Sequence, residues 1–122
     1  MKHRELFDLS GRIAIITGGG RGIGKALAHG LGAWGAGIVI ADIDPDRVIK
    51  AEAELRDSGV EALGICADIT DVTALRGVFD GCVERFGHFD ILVNNAGISA
   101  RIAAEDYPDP DFDFMVDLNL GA

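Results

Sequence analysis

Apolar residues in this chain gather into short unbroken runs, separated by longer stretches where they recur every three or four positions. Arg12-Ile13-Ala14-Ile15-Ile16, Ile38-Val39-Ile40-Ala41, Ala62 to Ala67 and Asp90 to Val93 are the runs. Their length and lack of polar alternation predict strands buried on both faces. Between the first two, Ile23, Leu27, Leu31 and Trp34 fall on one helical face, and Gly35 and Gly37 close the helix. Gly30 and Gly32 inside it each cost about 1 kcal/mol relative to alanine, so its stability must come from packing. Asp44-Pro45 opens a second helix, with Asp as N-cap and Pro at the first helical position; it runs through Val48 and Leu55 to Ser58-Gly59. Asp71 caps a third, carrying Val72, Leu75, Phe79, Val83 and Phe86, with Gly87 as its stop. Asp109-Pro110 repeats the Asp-Pro start, and Phe112, Val116 and Asn119 predict a fourth helix.

The predicted order is therefore β-α-β-α-β-α-β-α. Such alternation implies an α/β fold: a doubly wound parallel sheet with right-handed crossovers and helices on both faces. With no fifth strand predicted to pair with it, the fourth strand is expected to be a bare sheet edge. No internal repeat, low-complexity tract or linker divides the chain, which reads as one domain or part of one.

Composition narrows the classes. At 122 residues and 48% hydrophobic, the chain can bury one modest core and is not of disordered type. A net charge of −9 disfavours sequence-independent nucleic-acid binding, which needs clustered Lys and Arg. The acids Glu105, Asp106, Asp109, Asp111, Asp113 and Asp117 read as a solvated face, since their spacing matches no metal-ligand pattern. No apolar run approaches the roughly 18 residues that span a bilayer. The charged start from Met1 to Glu5 leads into no secretory h-region. Cys66 and Cys82 form neither a disulfide framework nor a zinc pattern, so a reduced cytoplasm is the default.

The 17 glycines are unusual for this length, and their places carry the chemistry. Thr17-Gly18-Gly19-Gly20-Arg21-Gly22-Ile23-Gly24 joins the first strand to the first helix. Glycines there let backbone N–H groups and a helix N-terminus approach a pyrophosphate. Gly-x-Gly-x-x-Gly is not met, because residue 23 is Ile; Gly-x-x-x-Gly-x-Gly is met at Gly18, Gly22 and Gly24. A tight strand-to-helix turn with no ligand is the alternative. Asp42 ends the second strand, eighteen residues beyond Gly24. A carboxylate there accepts from an adenosine ribose diol and repels a 2′-phosphate, which favours NAD over NADP. Arg21 is the countervailing sign, since a loop arginine can meet a 2′-phosphate, and Asp42 can also be read as a plain surface acid at a strand end.

In its motifs the chain resembles the short-chain dehydrogenases/reductases. Four carry the likeness, in order: Thr17 to Gly24, Asp68-Ile69-Thr70, Asn94-Asn95-Ala96-Gly97, and Asn119 within Asp117-Leu118-Asn119-Leu120. The resemblance implies a Rossmann-type sheet, here strands 1–4 of the family fold with flanking helices. It also implies hydride transfer between a nicotinamide cofactor and a small alcohol or ketone. By likeness, Asp68 and Ile69 bind the adenine, although Asp68 can also be read as a turn cap. Asn94 ties the central strands together, and Asn95, Ala96 and Gly97 pass the cofactor ribose. Ile23 offers its N–H near the pyrophosphate and nicotinamide end. Asn119 is similar to the asparagine that supports a proton-relay water, or else is a buried polar residue of its helix. Leu6-Phe7-Asp8-Leu9 and the stretch from Ser99 to Tyr107 resemble members acting on sugar acids and polyols, gluconate dehydrogenases among them.

One departure matters. The family's proton-transfer pair is Tyr-x-x-x-Lys, with the tyrosine as general acid/base. Here the one tyrosine, Tyr107, has Asp111 four positions on, and the lysines are Lys2, Lys25 and Lys50. Ser99 follows the fourth strand too early to match the catalytic serine. The expectation is thus the N-terminal NAD-binding part, residues 1–122, of a longer dehydrogenase, inactive alone, whose parent is a homotetramer or homodimer with no membrane or nucleic-acid partner. A non-catalytic dinucleotide-binding module is the rival, and a Ser and Tyr-x-x-x-Lys beyond Ala122 would exclude it. An epimerase of the extended family fits the glycine spacing less well, and a methyltransferase lacks the Asn94–Gly97 motif.

Overall fold

The computed structural model describes residues 8–95 and 115–117. In chain order these form β1 (Ile13–Thr17), α1 (Gly22–Ala33), β2 (Gly37–Asp42), α2 (Pro45–Asp57), β3 (Ala62–Cys66), α3 (Val72–Phe86), β4 (Ile91–Asn94) and β5 (Met115–Asp117). The strands pair in parallel in the order β3-β2-β1-β4-β5.

The unbroken apolar runs have a simple cause. The pleat sends alternate side chains to opposite faces, and both faces are covered in β1 and β2. Strand β3, at the sheet edge, buries only Ala62 and leaves Cys66 exposed. Every residue of β1 and β2 is buried. Ile13, Ile15, Val39 and Ala41 pack with Leu75, Val78, Phe79 and Cys82 of α3, where the Phe79 and Phe89 rings stack with centroids 5.3 Å apart. Ala14, Ile16, Ile38 and Ile40 pack on the other side with Ala28 of α1 and with Ala51 and Leu55 of α2.

Two helices begin as the sequence predicts. Asp44 accepts from the N–H groups of Asp46 and Arg47, with Pro45 at the first position. Asp71 accepts from Thr73 and Ala74. A cap of this kind contributes about 1 kcal/mol. Gly87 ends α3 at φ 89°, a left-handed conformation that suits glycine.

Helix α1 differs from its predicted face. Gly24 and Ala28 are its buried residues, Leu27 and Leu31 are partly covered, and Ile23 and Trp34 are exposed. The helix approaches the sheet through its small residues, which displaces the larger ones to the flanks. Gly32 shows the same closeness, since a Cβ there would lie 2.8 Å from Val60 Cγ2. Gly37, expected to help end the helix, is instead the first residue of β2.

Within the predicted fourth helix the described residues 115–117 are not helical, and β4 is not a bare edge. Met115–Asp117 is a strand, with Leu92 opposite Met115, Val93 opposite Val116 and Asn94 opposite Asp117. An uncovered parallel edge leaves backbone N–H and C=O groups unpaired, and pairing satisfies them. Phe112, Val116 and Asn119 offered only three points of helical period, which the tertiary pairing overrides at Val116.

Candidate functional site

In chain order the strands move outward from β1 through β2 to β3, then return to β4 on the other side of β1. That reversal is a topological switch point, where open α/β sheets place ligand crevices beyond the strand C-termini. A cleft of about 360 Å³ lies at this end of β1 and β2, bordered by Gly18, Arg21, Gly22, Ile23, Asp42 and Asn95.

The glycine turn shapes its floor. Gly18 and Gly22 adopt φ of 68° and 58°, and the Gly18 N–H donates to the Ala41 carbonyl at 2.7 Å. Gly24 sits under the turn, where a Cβ would overlap the Gly18 carbonyl and lie 2.8 Å from Asn95 Nδ2. Arg21 caps α1 without a side-chain hydrogen bond, and the first turn holds no acid. Backbone N–H groups at this helix start therefore have no side-chain acceptor of their own, which is the condition for receiving an anion. Ile23 projects from the same turn, 51% exposed.

Asp42 closes the cleft at the end of β2. Only 7% exposed, it accepts from the Gly20 N–H through Oδ2 and from the Asp44 N–H through Oδ1, both at 3.1 Å. A carboxylate oxygen can accept more than one hydrogen bond, so both oxygens keep capacity for a diol. Gly20 is needed here: a Cβ on it would fall 2.6 Å from Asp42 Oδ2 and 2.9 Å from Arg47 Cβ. The Ala67 N–H donates to the Asp42 carbonyl at 2.9 Å, which draws the end of β3 alongside.

Two lining residues, Ile43 and Arg47, escape sequence reasoning. Ile43 is 63% exposed directly after Asp42, an apolar residue where solvent would favour a polar one. Arg47 lies three residues after the Asp44 cap, and its Nε is 3.5 Å from Asp44 Oδ2. Spacing of three along a helix start was the available signal for that pair.

Thr17 joins the two loops. Its hydroxyl donates to the Val93 carbonyl at 3.3 Å and accepts from the Asn95 N–H at 3.1 Å. Asn95 Nδ2 in turn donates to the Gly18 carbonyl at 3.4 Å. Asn94, fully buried, stands opposite Thr17 in register. Ala96, Gly97 and Asn119 lie outside the described residues.

Asp68 and Ile69 are not among the cleft's lining residues. Asp68 is exposed, and its Oδ1 accepts from the Thr70 hydroxyl at 2.6 Å and the Thr70 N–H at 3.0 Å. Those bonds, the hydroxyl's first, hold its carboxyl below the ordinary aspartate value. Ile69 is partly buried against the core on the α3 side. Among the described residues no three His, Cys, Asp or Glu side chains converge as metal ligands, and no helix is long and apolar enough to cross a membrane.

The family model described as short chain dehydrogenase matches residues 12–122. Gluconate 5-dehydrogenase of Gluconobacter oxydans is 38% identical over 125 residues, covering all of this chain and 48% of its own length. Short chain dehydrogenase claC of Passalora fulva is 40% identical over 115 residues, covering 91% of this chain and 42% of its own. The chain thus spans less than half the length of these curated relatives. Among solved structures, a short chain dehydrogenase/reductase from Burkholderia phymatum in complex with NAD matches with a TM-score of 0.71 and 33% identity, over 75% of this chain and 32% of that one.

Proposed function

The chain belongs to the short chain dehydrogenase family, and we propose that residues 1–122 are the NAD-binding part of a single oxidoreductase domain. The observation that carries this reading is one cleft holding both the glycine turn before α1 and the Asp42 carboxylate. A dinucleotide fits the chemistry of that pair. Gly18, Gly22 and Gly24 clear the floor for a pyrophosphate, the N–H of Ile23 and its neighbours face it, and Arg21 adds positive charge at the mouth. Asp42 accepts from the adenosine ribose and disfavours a 2′-phosphate, so NAD is preferred over NADP. Asn95, Ala96 and Gly97 pass the other ribose, Asp68 and Ile69 take the adenine, and Asn119 supports the proton relay.

Bound nicotinamide supplies the hydride acceptor or donor for a small alcohol or ketone. A sugar acid or polyol is the proposed substrate class, supported by the likeness to gluconate 5-dehydrogenase. For the full-length parent the proposed setting is a cytoplasmic homotetramer or homodimer.

Proton transfer needs a general acid/base. These 122 residues contain no Tyr-x-x-x-Lys, since Asp111 follows Tyr107 by four. On their own they are expected to bind NAD without turning substrate over, and robust NAD reduction by the purified 122-residue chain would refute this. The second reading is a non-catalytic dinucleotide-binding module, which would keep the glycine turn and Asp42; a Ser and Tyr-x-x-x-Lys beyond Ala122 would exclude it.

Calorimetric titration with NAD and NADP tests the binding reading. NAD binding more tightly than NADP is the expected result. Preference for NADP would overturn the role of Asp42, and binding of neither would overturn the site.

A further inference from the structure

We infer that Asp44 is a positioning residue for cofactor selection, acting by holding the Arg47 guanidinium away from the ribose 2′ position. The inference rests on the dinucleotide reading of the cleft proposed above. Arg47 borders that cleft, and its stem runs beside the glycine turn, since its Cβ would lie 2.9 Å from a Cβ on Gly20. Asp42, the acid proposed for the ribose diol, touches Gly20 on the same side through its Oδ2. An arginine in that place is the side chain best built for a phosphate, with a rigid fork of donors.

Asp44 restrains it through a division of labour between two oxygens. Oδ1 caps α2 by accepting from the N–H groups of Asp46 and Arg47 at 2.9 and 3.3 Å. Oδ2 faces Arg47 Nε at 3.5 Å. The residue that starts the helix therefore also occupies Arg47, a cleft-lining cation on the α2 side to which a 2′-phosphate could turn. Neutralising Asp44 removes the carboxylate that faces Arg47 and leaves the guanidinium available. Both partners of the pair are 37% exposed, so its restraint is modest, about two- to fivefold in an equilibrium.

Asp44→Asn separates the two duties, because asparagine caps a helix as well as aspartate but carries no charge. The 122-residue chain and its variants would be titrated with NAD and NADP at low ionic strength, where exposed pairs are least screened. The expected result is a ratio of NADP to NAD dissociation constants about two- to fivefold lower in D44N. Asp46→Asn removes the same charge from the same helix turn without touching the Arg47 pair, and should leave the ratio near that of the parent. D44N combined with Arg47→Met should restore the parental ratio. An unchanged ratio in D44N, an equal change in D46N, or a change that survives loss of Arg47 would each overturn the inference while NAD binding by the parent stands. Failure of the parent to bind either nucleotide would overturn the dinucleotide reading, and this inference with it.

Discussion

Gly24 of α1 packs directly beneath the carbonyl of Gly18, with no room for a Cβ between helix and turn. Backbone meets backbone there, so no flexible side chain can give way. Gly24→Ala is expected to cost about 1–3 kcal/mol through overpacking and to weaken NAD binding by displacing the turn. Gly30, in the same helix, has nothing within 4 Å of its Cβ position. Gly30→Ala should instead stabilise by about 0.4–1 kcal/mol, by restricting the unfolded chain. Urea unfolding of the two variants should move in opposite directions, and a parallel response would show that α1 is not seated on the turn.

That contrast bears on what could be read from sequence. β1 and β2 are legible because residues buried on both faces leave an unbroken apolar signature, and α2 and α3 are legible at their starts because Asp44 and Asp71 carry the caps themselves. The buried side of α1 is not, because it packs through Gly24, Ala28 and Gly32, whose smallness carries no hydrophobic period. Ile23, placed by its period on the packed face of α1, is exposed and borders the cleft. Ile43 and Arg47 join the cleft through the pairing of β2 with β1 and the approach of α2, long-range relationships that local pattern does not encode. Strand β5 was missed for the opposite reason: a weak local period pointed to helix, and the open edge of β4 decided otherwise.

Thr17 makes a second linkage testable. Its hydroxyl bridges the Val93 carbonyl and the Asn95 N–H, which sets the loop after β4 against the glycine turn. Thr17→Val keeps the shape and removes both bonds, leaving the Asn95 N–H and the Val93 carbonyl the 3.2 Å bond between them. A loss of about 0.5–1.5 kcal/mol is expected, with weaker NAD binding by calorimetry. Thr17→Ser keeps the hydroxyl and should recover most of both. If valine and serine behave alike, the bridge contributes nothing.

Phe79 tests the core on the α3 side. Its ring is fully buried and stacks on Phe89. Phe79→Ala removes that contact and leaves a cavity, at an expected cost of about 3–5 kcal/mol. Small domains are typically stable by about 5–15 kcal/mol, so the variant should melt far earlier than the parent. Phe79→Leu should fall between the two. A melting temperature unchanged by Phe79→Ala would mean that α3 does not pack as described.

Asp68 gives a pH signature. The Thr70 hydroxyl, and after it the Thr70 N–H, hold its carboxyl below the ordinary value of 3.8, against a small opposing effect of burial. A folded value lowered in this way favours the ionised form in the native state. The stability it contributes is therefore fully present above the ordinary aspartate value and is lost as pH falls through the lowered one. Near neutral pH it does not vary. A side-chain carbon NMR titration should find the Asp68 midpoint under 3.8. Thr70→Val removes the hydroxyl bond but keeps the N–H bond, so the midpoint should rise part of the way back. The variant should also lose less stability than the parent between mildly and strongly acidic buffer, because less of its native stability depends on that ionisation. A midpoint in Thr70→Val equal to that of the parent would remove the hydroxyl as the cause.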